Sequence, residues 1–359
     1  MFFPPISDEY ASFFLLGGSA VAGYAAVRAL VDALPPSSSP APVRHAIVHA
    51  SMTAIVCVAA LLHRPALLDV AVGVPFSTAV AAMTLALGVV LFVAPAFPTY
   101  GSRAHGSPRQ TSASGAGFRG AWAFLLPTGL LTLLIGFSGR LSTSSGLILA
   151  AEGAAILLVS RSPRSRTKTS SILSGESDSS ERAPAVRRHP ALSFAQAVLA
   201  VLLMLLAGWG LVQGAGGMAL HNPAFRPGVA AVLALGPAIV LPMIPPLATL
   251  AERGRRDEAT SAVVAFALIN LCAVLPMVVV AQRLTQFASA SAAATQPSLP
   301  TDLPFPILVW RLATVLLSTV GLLLLPTAIG RWTLARAEGL GLVGLYVIYL
   351  FLTLLISNG

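Results

Sequence analysis

Apolar stretches of near-membrane length alternate with short polar breaks along the whole chain. In order they cover about Ala11–Leu34, His45–Leu62, Asp69–Phe97, Ala121–Phe137, Ser144–Val159, Ser193–Val212, Gly228–Leu250, Thr260–Val280, Pro304–Leu325 and Gly339–Ile356. Most approach the ~20 residues that a helix needs to cross ~30 Å of hydrocarbon, and the shorter ones need local thinning or flanking anchors. The pattern predicts ten membrane-spanning helices. The longest polar break, Ser160–Pro190, is rich in Ser and Arg and has no apolar periodicity. It reads as a disordered tether. It divides the chain into a half at 1–159, a linker at 160–190 and a half at 191–359, with five spans in each half. Residues 98–118 form a second polar loop, rich in Gly and Ser.

Composition changes the picture only by making it firmer. The chain is 56% hydrophobic and 10% charged, against about 25% charged for a soluble domain. Leu, Ala, Val and Gly dominate, which suits an all-α polytopic membrane protein better than an outer-membrane barrel. The net charge of +9 is spread over short loops, so it points to a lipid bilayer as partner and not to nucleic acid. Cys57 and Cys272 both fall inside apolar spans and read as packing residues. Asp8 and Glu9, with no basic residue before them, argue against a secretory signal.

Basic residues set the expected orientation. With the linker in the cytosol and the spans alternating, 16 Lys and Arg fall on the cytosolic side and 5 on the other, leaving Arg28 within the first span. Arg253, Arg255 and Arg256, in one turn on the cytosolic side, fit a topology signal that meets anionic lipid.

The seventh span is crowded with Pro237, Pro242, Pro245 and Pro246. Proline inside a water-soluble helix costs about 3 kcal/mol, and in a membrane a broken helix is tolerated where the freed backbone lines a cavity or is covered by protein. The stretch Gly236–Gln282 predicts an interrupted helix, a charged turn and a second helix carrying Asn270. Hairpins 45–97 and 228–282 also match each other: Asp69 and Asp257 each open the second helix, where a carboxylate complements the helix dipole. Because each half has an odd number of spans, its copy must be inverted. Two inverted five-helix repeats with paired hairpins suit a midplane site and alternating access.

These segments resemble the sodium/calcium exchanger membrane region of the cation/calcium antiporter superfamily. D-V-A-V-G-V-P-F-S-T-A, Asp69–Ala79, is similar to that family's D-x-A-x-G-N-x-x-G-S-N helix through Asp69, Ala71 and Gly73. V-L-P-M, Val240–Met243, is similar to its L-P-E element, and Asn270 falls where the family has the Asn of an N-x-F-N run. R-W-T-L-A-R-A-E-G-L-G-L-V-G-L-Y-V-I-Y-L resembles its last span. The resemblance implies two ligating glutamates, and this chain has Ile55 and Met243 in their places. The following Asn positions are Val74 and Ala79, then Ala262 and Ala267. A Ca²⁺ site wants six to eight oxygens, and these residues supply none from side chains.

The remaining candidates for an ion path are Ser51, Thr53, Ser77, Thr78, Glu152, Pro242, Ser261 and Asn270. Glu152 sits mid-span, where an ionisable group is costly and is a functional candidate by default; the alternative is a neutral carboxyl bonded across a helix interface. His45 and His49, spaced i,i+4 on one helix face, are candidates for a proton relay. No nucleophile triad, phosphate-cradling loop or Cys/His metal cluster is present, so no enzyme is expected. No cofactor is expected beyond a transported Ca²⁺, Na⁺ or H⁺. The sequence leaves two readings: an exchanger-like cation antiporter, or a degenerate homologue that no longer transports and acts as an interaction protein. Neither the membrane nor the oligomeric state is specified.

Overall fold

The computed structural model describes residues 9–33, 41–63, 67–94, 122–161, 190–221, 226–292, 303–304, 307–328 and 334–358. The 98–118 loop lies outside them, as does nearly all of the Ser160–Pro190 linker. Among the described residues there are ten membrane-type helices. In the first half they are α1 (Glu9–Ala33), α2 (Ala41–His63), α3 (Leu68–Val93), α4 (Leu125–Gly136) and α5 (Thr143–Arg161). In the second half they are α6 (Pro190–His221), α7 (Pro227–Glu252), α8 (Arg256–Phe287, helical on to Ala292), α9 (Ile307–Ala328) and α10 (Arg336–Asn358). Seven are long and apolar enough to cross a membrane outright; the apolar parts of α4, α5 and α9 are shorter. The ten helices correspond one to one with the ten apolar spans.

Helix packing carries the repeat. Exchanging each helix for the one five places on maps the contacts onto one another. α2 packs on α8 and α3 on α7; α3 packs on α10 and α5 on α8; α2 packs on α3 and α7 on α8. The pairs α1 with α6, α4 with α9 and α3 with α8 map onto themselves and lie about the pseudo-twofold axis. In α4 and α9 this is visible residue by residue: a Cβ at Gly129 would meet Ser318, and one at Gly321 would meet Leu126, at 2.8 Å each. The architecture is an all-α, polytopic pair of inverted five-helix repeats, in an integral, multi-pass membrane protein.

The ends of the helices sort onto two faces. On one, Gln196 of α6 donates to the Ala29 carbonyl, Arg336 of α10 donates to the Ala94 carbonyl after α3, and Arg256 of α8 donates to the Leu334 carbonyl. This face also carries the end of α5 and the start of α6, and is called the linker face below. On the other, Arg283 donates to Thr143, and two short strands pair antiparallel, β1 (Arg140–Leu141) with β2 (Leu303–Pro304). These strands were not expected from sequence; each is two residues long and ties the α4–α5 loop to the α8–α9 loop. At the α7–α8 turn, Gly254 takes φ 77°, a conformation that costs glycine little. The Arg255–Glu258 ion pair follows it, and this hydrogen bond raises the Arg255 pKa above its ordinary value.

α3 and α8 form the centre. In each, 78% of the apolar window is buried, against 28% in α1 and α10. Side chains at the crossings are small, as close approach of membrane helices requires. Gly88 of α3 and Gly339 of α10 meet backbone to backbone: a Cβ on either would lie 2.7 Å from the other's carbonyl oxygen.

The expected interruption of α7 is corrected. Pro237 is followed by helix, and the chain stays helical from Pro227 to Glu252 through a π turn at Ala231–Leu235 and a 3₁₀ turn at Leu241–Met243. The changes of pitch absorb the hydrogen bonds that the prolines cannot make, so the helix stays unbroken.

Candidate functional site

Two further π turns, Ala82–Ala86 in α3 and Asn270–Val274 in α8, lie at equivalent positions of the two hairpins. Each begins 13 residues after the Asp of its helix, Asp69 or Asp257. Ala82 and Asn270 are therefore repeat mates, 188 residues apart. Ile55 and Met243 are separated by the same 188, so one offset relates both hairpins. π turns occur frequently at functional sites; the second copy opens its π turn with Asn270 where the first has Ala82, and the first carries Thr84, whose hydroxyl donates to the Val80 carbonyl at 2.6 Å.

Asn270 is fully buried. Its Nδ2 donates to the Phe266 carbonyl at 2.8 Å, and its Oδ1 has no partner. Phe266 stands edge-on to His49 of α2, with ring centroids 6.4 Å apart. One turn further along α2, Thr53 is fully buried with its Oγ1 unpartnered, and Ser261 of α8 is buried with its Oγ unpartnered. α2 and α8 both start on the linker face and run parallel, so Thr53 and Asn270 each lie one turn beyond the His49–Phe266 contact. A buried unpartnered oxygen costs about 1–3 kcal/mol. Thr53 and Asn270 put two of them at one level of adjoining helices, an arrangement suited to a ligand, and Ser261 lies nine residues, about 13 Å, nearer the linker face.

The other expected residues divide. Ser77 and Thr78 of α3 are buried beside α7: a Cβ at Gly236 would come within 2.9 Å of Ser77 Oγ. Their hydroxyls donate to the Val74 carbonyl, at 3.0 and 2.8 Å, and Thr78 also reaches the carbonyl of Pro75. Ser51 donates to the Val48 carbonyl at 2.7 Å. All three can still accept or ligate through oxygen lone pairs. Pro242 is half-buried beside His49 at a small void between α1, α2 and α7. Glu152 lies elsewhere. Its Oε1 accepts from Thr128 of α4 at 2.8 Å, its Oε2 is buried without a partner, and the neighbouring Gly153 abuts Cys272. The structure thus puts Glu152 at the junction of α4, α5 and α8, on the side of the α8 π turn away from α2. Both cysteines are buried and free.

Ile55 is half-buried against Gly208, and Met243 is buried. Carboxylates in the two hairpins occur only at helix ends, at Asp69, Glu252, Asp257 and Glu258. Among the described residues no three His, Cys, Asp or Glu side chains converge on a common point.

From the linker face a vestibule of about 400 Å³ descends between α1, α2 and α7. Tyr24, Arg28, Asp32, His45 and Arg253 line it, and His49 stands where it meets the small void beside Pro242. Sequence reasoning missed this assembly, because its parts come from positions more than two hundred residues apart. The visible signal was the Tyr24–Arg28–Asp32 spacing, which puts three polar groups on one face of α1.

Residues 192–355 match the model of the sodium/calcium exchanger protein family. The exchanger fold extends over the rest of the chain. An H⁺/Ca²⁺ exchanger, CAX, superposes with a TM-score of 0.54 at 12% identity, over 99% of this chain and 89% of its own. Native YfkE gives 0.57 at 12%, over 95% and 89%. The sodium-calcium exchanger NCX_Mj gives 0.51 at 15%, over 94% of both chains. At these identities the likeness establishes the exchanger fold. No curated protein matches the sequence.

Proposed function

We propose that this exchanger-fold protein carries a monovalent cation across the membrane by alternating access, at a site made of neutral oxygens where α2, α3, α7 and α8 cross. The observation that supports this most is the pair of buried, unpartnered oxygens at Thr53 and Asn270, in hairpins whose interior has no carboxylate. A divalent ion in a low-dielectric site demands charged ligands. A monovalent ion needs fewer, and hydroxyl, amide and backbone carbonyl oxygens meet that demand. Ser51, Ser77 and Thr78 complete the set of available oxygens. The inverted repeat supplies the motion: α1 and α6, antiparallel on the axis, are placed to rock against the four-helix centre and open each face in turn. His45 and His49 lie along the linker-face approach and are candidates for moving a proton on that path. The excess of basic residues on the linker side supports a cytosolic linker face.

Binding is tested by cation-dependent thermal stabilisation of the purified protein, with Na⁺, K⁺, Li⁺ and Ca²⁺ compared at equal ionic strength. Binding at 100 times Kd stabilises by about 2.7 kcal/mol. The reading expects a monovalent ion to raise the midpoint in the wild type and not in Thr53→Val or Asn270→Ala. Stabilisation by Ca²⁺ alone would replace it with a divalent site.

A further inference from the structure

The vestibule is basic, which is an odd lining for an approach to a cation site. Arg28 of α1 and Arg253 beyond α7 both face it, with His45 and His49 between them and Asp32 as the one acid. Neither arginine is in an ion pair among the described residues. The sole bond of Arg28 is a long one, 3.4 Å, to the Tyr24 hydroxyl. His49 is 4% exposed, and no hydrogen bond holds its ring. Below this charged rim the wall is apolar: Val27, Val31, Pro245, Pro246, Leu247 and Leu250.

The charge is also one-sided. Moving 188 residues along the repeat from Tyr24, Arg28, Asp32, His45 and His49 gives Val212, Gly216, Leu220, Leu233 and Pro237; moving back from Thr249 and Arg253 gives Leu61 and Pro65. Every polar group of this vestibule has an apolar mate. The basic lining is therefore a property of one face and not a consequence of the fold, which both faces share.

We propose that the linker-face vestibule binds a phosphate oxyanion between Arg28 and Arg253, with His45 and the Tyr24 hydroxyl as further donors. Guanidinium groups match phosphate geometry in pairs, and basic pockets between transmembrane helices bind lipid headgroups. The anion has two sources: the headgroup of an anionic phospholipid, whose acyl chain would follow the apolar wall, or free phosphate. Its effect rests on the transport reading above. Two arginines against the single acid Asp32 leave the mouth net positive and repel a cation, and a bound anion removes that barrier, so the site acts as a licence for cation entry from this face.

The test reads anion binding separately from transport, so failure of one leaves the other standing. The full chain is placed in nanodiscs of neutral lipid and titrated calorimetrically with inorganic phosphate. In a second arm, phosphatidylglycerol is exchanged for phosphatidylcholine, and retained lipid is counted by native mass spectrometry. Arg28→Gln and Arg253→Gln are each expected to weaken binding roughly fivefold, and the pair to abolish it. Arg28→Lys keeps the charge but not the guanidinium fork and is expected to bind between Arg28→Gln and wild type, and unchanged melting of each variant separates loss of a ligand from loss of fold. Arg226→Gln, on the opposite face, leaves binding unchanged. Binding in the first arm alone assigns free phosphate; binding in the second alone assigns the lipid. No binding in either arm, or equal loss in Arg226→Gln, overturns the proposal.

Discussion

Replacing Gly88 by alanine adds one carbon where α3 and α10 touch. That carbon would lie 2.7 Å from the Gly339 carbonyl oxygen, 2.7 Å from Val343 Cγ2 and 3.1 Å from the Val343 amide nitrogen. Two of these three neighbours are backbone, so no rotamer change relieves the contact. α10 must withdraw by about half an ångström, and a gap of that size forfeits about a quarter of each dispersion well along the interface. Overpacking of this kind costs about 1–3 kcal/mol, set against a gain of about 1 kcal/mol in helix propensity. Gly341 and Gly344, on the same helix α10, have no atom within 4 Å of an added Cβ. There the propensity gain stands alone. Thermal unfolding in detergent, followed by circular dichroism, is expected to place Gly88→Ala below wild type and Gly341→Ala level with it or above. Gly339→Ala should resemble Gly88→Ala, since its Cβ meets the Gly88 carbonyl at 2.7 Å. Equal midpoints for Gly88→Ala and Gly341→Ala would refute the backbone contact.

Other variants probe the site and its frame. Thr128→Val removes the donor to Glu152 and should destabilise the fold by about 1–3 kcal/mol in a denaturation assay; Glu152→Gln keeps an acceptor and should cost less. Because Glu152 lies on the far side of the α8 π turn, Glu152→Gln should retain cation transport in vesicles. Met243→Glu sets a carboxylate in a buried position, so the apo protein should melt earlier, and added Ca²⁺ should recover part of the loss. Arg256→Gln leaves the Leu334 carbonyl without its donor, and faster hydrogen exchange at the start of α10 should report the released contact.

The architecture was legible because hydropathy, the odd span count and the 188-residue spacing of Asp69 with Asp257 all follow from backbone satisfaction in lipid. The same 188-residue spacing relates Ile55 to Met243 and the first π turn to the second, but the π turns themselves had no sequence signal. Proline was misread in α7. A proline says that a hydrogen bond is missing, and only the surroundings say whether the helix breaks or changes pitch. Glu152 stayed open between an ion-path role and a carboxyl bonded across a helix interface because Thr128, which bonds it, lies 24 residues away on another helix. Arg28 was only a basic residue within the first span, and Arg253 a topology signal, for the same reason: a vestibule shared by α1, α2 and α7 exists only once those helices are packed.

The most direct measurement is cation flux in proteoliposomes holding the purified full chain, with Na⁺, K⁺ and Ca²⁺ gradients imposed in turn. The account predicts counterflow driven by a monovalent gradient, lost in Thr53→Val and in Asn270→Ala and retained in Glu152→Gln. Absence of flux under every gradient, from protein that melts cooperatively, would contradict transport at this crossing.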